Sequence, residues 1–141
     1  MTVELYDQDT PDVADFVITW LLPLGNTWSK HPVDDKSFPY RVVNPLVDAD
    51  YVDGMNSEAL VSVHTMHRTF GEAKAEAKRT HRRMLLLSNN PSINIVMPDG
   101  QTANADYVDV VQKPLHADYG DTDTQRFVAR YRVGFSYVTV S

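Results

Sequence analysis

The stretch "RFVARYRVGFSYV", residues 126 to 138, decides the fold. Phe127, Ala129, Tyr131, Val133, Phe135 and Tyr137 alternate with Arg126, Arg130, Arg132 and Ser136, and Val128 and Gly134 are the exceptions. Successive side chains of a strand point to opposite faces, so alternation over a dozen residues predicts a strand with one buried face. Gly134 predicts a bend or bulge in it.

Working outward, "LHADYGDTD" (115–123) reads as a polar loop and "ADYVDVVQKP" (105–114) as a strand limited by Pro114. "SINIVM" (92–97) is a short strand closed by the turn "PDGQ". Further upstream, "YRVVNPLV" (40–47) and "EALVSVHTMHRTF" (58–70) read as strands joined by the turn-rich "DADYVDGMNS". Two helices complete the pattern. In the first, Thr10 is the expected cap, Pro11 opens the helix and Asp12 favours the positive end of its dipole. Val13, Phe16, Val17, Trp20, Leu21 and Leu24 form one apolar stripe, and Pro23 ends it. In the second, Thr69 and Glu72 make a capping box, Ala73, Ala77, Thr80, Met84 and Leu87 form the stripe, and Asn89, Asn90 and Pro91 stop it. The prediction is one α+β domain over residues 1–141. Its mainly antiparallel sheet of about five strands carries both helices on one face.

Residues 24–39, "LGNTWSKHPVDDKSFP", have no period and read as a long loop, a length usually tied to function or to a partner. Trp28 and Phe38 within it are expected to pack back onto the domain. The chain has 141 residues, 43% hydrophobic and 23% charged, ordinary for a globular protein. With no cysteine, disulfides and thiolate metal sites are excluded, which fits a reducing compartment. The acidic N-terminus has no apolar core of a signal peptide, and "FVITWLLPLG" is too short to cross a bilayer.

Chemical motifs are missing. His64 and His67 fall on opposite faces of a strand, and there is no HExxH, GxSxG, GxxxxGK or GxGxxG. Asp34 with Asp35, and Asp48 with Asp50, lack the spacing of a calcium loop and read as solvated turn residues. No catalytic, cofactor-binding or metal-binding residue is assigned, and the expectation is a protein that is not an enzyme.

Charge is distributed unevenly. The formal net charge is −6, yet five of thirteen Lys and Arg residues lie between Lys74 and Arg83. Lys74, Lys78 and Arg82 form one row opposite the apolar stripe, with no carboxylate three or four residues from any of them. Arg79 has Glu76 three residues before it, and Arg83 is expected to complement the helix dipole. Arg126, Arg130 and Arg132 form a second basic strip. Three uses compete for the row: a solvated face, contact with acidic groups such as Asp118, Asp121 and Asp123 or residues 48–53 of a neighbouring copy, and contact with nucleic acid. A dedicated DNA binder carries a strong basic surplus, so sequence-specific DNA binding is not expected.

The order of elements, "DVADFVITWLLPLG", the strand pair, the Arg-rich helix "EAKAEAKRTHRRMLLLSN" and the acidic loop before "RYRVGFS", resembles the tail terminator (tail completion) proteins of long-tailed bacteriophages, in particular those infecting actinobacteria. The resemblance spans nearly the whole chain. It implies a homohexameric ring at the head-proximal end of the virion tail, assembled in the host cytoplasm. That ring would end polymerisation of the major tail tube protein and offer a joining surface to the head–tail connector or head-closure protein. Genomic DNA would pass non-specifically through its channel. It implies no catalytic residue, no cofactor and no membrane. Lys74, Lys78, Arg79, Arg82, Arg83, Arg126, Arg130, Arg132, Asp118, Asp121 and Asp123 are then candidates for the subunit contact or the channel lining. Alternatives are a head-closure or connector neck protein, and a small ligand- or protein-binding module.

Overall fold

A computed structural model describes residues 8–29, 37–50, 56–118, 120, 123–136, 138 and 139. In chain order the elements are β1 (Gln8–Asp9), α1 (Val13–Leu21), a 3-10 turn (Leu22–Leu24), β2 (Thr27–Trp28), β3 (Tyr40–Asp50), β4 (Asn56–His67), α2 (Phe70–Asn89), β5 (Ile95–Val96), β6 (Thr102–Ala103), β7 (Tyr107–Ala117), β8 (Gln125–Ser136) and β9 (Val138–Thr139). The main sheet has the order β2-β3-β4-β8-β7. Only β2 and β3 run parallel in it; the other pairs are antiparallel. The fold is therefore α+β: among the described residues, a five-stranded main sheet, two two-stranded pairs and two α-helices.

The fifth strand is not the expected one. Ile95–Val96 leaves the sheet to form a separate hairpin with Thr102–Ala103, and Thr27–Trp28, inside the expected long loop, takes the edge beside β3. The turn between β5 and β6 is local. Gly100 adopts φ 88°, its N–H donates to the Met97 carbonyl at 2.9 Å, and Asp99 accepts from the Gln101 N–H at 2.9 Å. The flanking aromatics behave as anchors. Trp28 and Phe38 pack on Tyr40 with ring centroids 5.4 and 5.5 Å apart, and with Val42 and Met66 they form a small second core.

Two prolines lie inside strands. Pro114 does not end β7, which continues to Ala117 through a register shift between Gln112 and Leu115. Pro45 coincides with a shift in β3. Both are tolerated because β7 is an edge strand and β3 has only the two-residue β2 on its outer side.

α1 starts two residues later than expected. Asp12, not Thr10, is the cap: it sits in extended backbone and its carboxylate accepts from the Asp15 N–H at 3.0 Å. Val13, Phe16, Val17 and Leu21 are buried, and Pro23 lies in the 3-10 turn that ends the helix. In α2, Thr69 accepts from the Glu72 N–H at 3.2 Å, and the five predicted stripe residues are the buried ones. Both helices cover the sheet face bearing Val43, Ala59, Val61, Val63, Ala129, Tyr131, Val133 and Phe135.

The alternation in β8 is as read: Phe127 to Phe135 are buried at every second position, while Arg130, Arg132 and Ser136 are exposed. Tyr137 lies outside the described residues. Gly134 makes no bulge, since β4 pairs with β8 in unbroken register from Asn56↔Ser136 to His67↔Gln125. Its small size serves its neighbour instead. The Tyr107 ring lies across it, where a Cβ would penetrate the ring, and the Tyr107 hydroxyl donates to Glu58. Gly134→Val therefore displaces Tyr107 and costs about 1–3 kcal/mol by overpacking. Equilibrium urea unfolding checks this, and an unchanged midpoint would contradict it.

Candidate functional site

α2 carries the basic row on its solvent side. Lys74, Lys78 and Arg82 are exposed, and among the described residues none is paired with a carboxylate. The sheet adds a fourth cation. β7 passes beside α2, and Lys113 and Pro114 face the row across a groove of about 340 Å³ floored by Ala77 and Phe127. His81 stands in the same groove, its pKa lowered first by burial and then by the charge of Lys113. Its Nδ1 lies 2.6 Å from the Tyr131 hydroxyl, whose own pKa burial pushes up.

The other basic candidates have different occupations. Arg79 pairs with Glu76 at 3.0 Å, as the spacing implied, and donates to the Leu24 carbonyl at 3.4 Å. Arg83 does not complement the helix end, because α2 continues six residues beyond it. It fastens α2 to α1 instead. Its guanidinium lies 4.0 Å from the Trp20 ring centroid, its Nε donates to the Trp20 carbonyl at 2.5 Å, and the Trp20 indole donates to the Arg83 carbonyl at 2.9 Å. The strip on β8 is not a continuous free surface. Arg132 pairs with Glu58 at 3.1 Å, and Arg126 donates to the Asp118 carbonyl at 2.6 Å within its own chain. Arg130 is exposed. Asp118 and Asp123 are exposed beside the β7–β8 connection, and Asp121 lies outside the described residues.

Two features had no sequence signal. Arg41, between Tyr40 and Val42, is fully buried beneath α2, where it pairs with Glu76 and donates to the Thr80 hydroxyl at 2.7 Å. Glu76 thus holds Arg41 as well as Arg79. The second is a depression of about 600 Å³ lined by Asp12, Asp15, Asp48, Asp50, Asp99 and Asp106. These come from the start of α1, the end of β3, the β5–β6 turn and the approach to β7, segments distant in sequence. Burial raises the Asp15 pKa, and the charges of Asp12 and Asp99 raise it further. Asp12 and Asp15 belong to the N-terminus read as acidic, and Asp48 and Asp50 to a pair read as solvated turn residues; the convergence of these with Asp99 and Asp106 had no sequence signal. Among the described residues no three or more His, Asp or Glu side chains converge as metal ligands. No described helix is long and apolar enough to cross a membrane.

The arrangement is thus two opposite charge surfaces on one chain.

No protein-family model and no curated protein matches the sequence. Among solved structures, the fold is similar to that of a chain in "Virion of native gene transfer agent (GTA) particle", with a TM-score of 0.57 and 14% identity, over 83% of this chain and 84% of that one.

Proposed function

We propose that this chain is a structural component of a phage-type virion, and specifically the tail terminator. It is a ring of identical subunits, six by the family resemblance, at the head-proximal end of the tail. There it ends polymerisation of the tail tube and presents the joining surface for the head–tail connector, and it carries no catalytic activity. The observation that carries this reading is the likeness in fold, over more than four-fifths of both chains, to a component of a gene transfer agent virion. The separated charge surfaces support it as well. An acidic chain with a row of cations on one helix that no described carboxylate pairs, and six aspartates around one depression, is suited to head-to-tail contact with copies of itself. Genomic DNA passing through the ring would meet it without sequence preference.

Particles assembled without the protein are expected to have tubes of irregular length that do not join heads. Electron microscopy of a phage lacking the gene tests this, and heads with tails of normal length would overturn it. Tails of normal length that fail to join heads would instead favour the second reading, a head-closure or connector protein of the same neck.

A further inference from the structure

We infer that the α2 ridge of one copy, with Lys113 beside it, docks in the aspartate-lined depression of the next copy. This inference rests on the ring reading above and assigns its contact surfaces. Three observations carry it.

The first is charge complementarity. Among the described lining residues, Lys74, Lys78, Arg82 and Lys113 line one surface with no carboxylate beside them, and six aspartates line the other with no lysine or arginine beside them. Each surface alone holds like charges that repel, and bringing the two together relieves both. The second is shape. The row lies on the convex side of a helix and spans about 12 Å from Lys74 to Arg82 at 1.5 Å per residue. The aspartates surround a concavity of about 600 Å³. Long lysine and arginine side chains on a ridge can reach into such a basin while their stems cover the apolar groove floor of Ala77 and Phe127.

The third is placement. Phe127 floors the groove and Ser136 lines the depression, so the two surfaces sit toward opposite ends of β8. Nine residues of strand separate them by roughly 30 Å. A copy therefore cannot satisfy its own row with its own basin. The same two surfaces can pair only between copies, as a heterologous contact, which closes into a ring when the rotation between neighbours permits. Net charge points the same way. Copies with a formal charge of −6 repel at long range, and this orientation sets positive against negative at close range.

The absence of cysteine makes the test clean. Lys78→Cys and Asp99→Cys are introduced singly and together, and each protein is treated with a short bis-maleimide. The double variant should give a ladder of covalent multimers, and neither single variant should cross-link, because the row meets the basin and not another row. The triple variant K74E/K78E/R82E should lower the native mass from a multimer to one 15.9 kDa chain. Adding D15K, D50K and D99K to it should restore the multimer, and circular dichroism confirms that each variant is folded. A dimer from Lys78→Cys alone would show a two-fold contact and overturn the inference. A multimeric wild type that gives no ladder, and keeps its mass in the triple variant, would overturn the assigned surfaces and leave the ring reading standing. A wild type that is a single chain at every concentration would remove both. Loss of duplex DNA binding in the triple variant, with its mass unchanged, would assign the row to nucleic acid and also overturn the inference.

Discussion

Glu76→Ala lowers the free energy of unfolding by about 3–5 kcal/mol, the range found when one partner of a buried ion pair is removed. Arg41 is fully buried, and burial lowers its pKa while the charge and hydrogen bond of Glu76 raise it. Its Nη1 has no hydrogen-bond partner among the described residues, and its Nε relies on Thr80. Without Glu76 the guanidinium keeps its charge but loses the carboxylate that offsets desolvation. Arg79, now also unpaired, adds repulsion nearby. The reciprocal change, Arg41→Met, is milder. It leaves Glu76 paired with Arg79 and replaces the buried cation with an apolar side chain, an exchange that is often close to neutral. Guanidinium unfolding of the two variants distinguishes the cases. Equal losses, or a loss below about 1 kcal/mol for Glu76→Ala, would show that the pair is not the fastening between β3 and α2.

Phe16→Ala costs about 3–5 kcal/mol, the usual range for emptying a fully buried aromatic site. Phe16 is the ring by which α1 enters the main core. It meets Phe135 edge to face, with centroids 5.0 Å apart and planes at 86°, and it has no solvent exposure. α1 is only nine residues long, too short to persist without tertiary contacts, so losing this ring loosens the helix as well as its cavity. Hydrogen exchange should then show the amides of α1 opening well before those of β4 and β8, which lie at the centre of the sheet. Uniform protection across α1 and the sheet would contradict this.

Regular elements were legible in the sequence because their periods are local properties. The stripe of α2 matches its buried residues position for position, and the alternation of β8 is its burial pattern. What could not be read depends on which strands become neighbours. Pro114 reads as a stop until β7 is known to be an edge, where a missing N–H costs no ladder bond on the inner side. Gly134 reads as a bulge until the Tyr107 ring is found lying across it. Arg83 reads as a dipole partner until Trp20 is placed beneath it.

The charge surfaces divide in the same way. The Lys74, Lys78, Arg82 row is visible as a helical spacing, and the structure leaves it exposed. Lys113 had no signal, because only the pairing of β7 with β8 brings it opposite α2. The aspartate depression draws on four segments spread from Asp12 to Asp106, and composition showed only that aspartates were abundant. Arg132, which looked unneutralised, pairs with Glu58, the two residues lying on neighbouring strands.

Native mass spectrometry of the purified protein, over a range of concentrations and at low and high salt, tests the central claim most directly. The claim is that copies of this chain associate head to tail through opposite charges. The expected result is a closed species of six 15.9 kDa chains at low salt that dissociates toward single chains as salt screens the contact. A single chain at every concentration and salt, or a dimer that does not respond to salt, would contradict it.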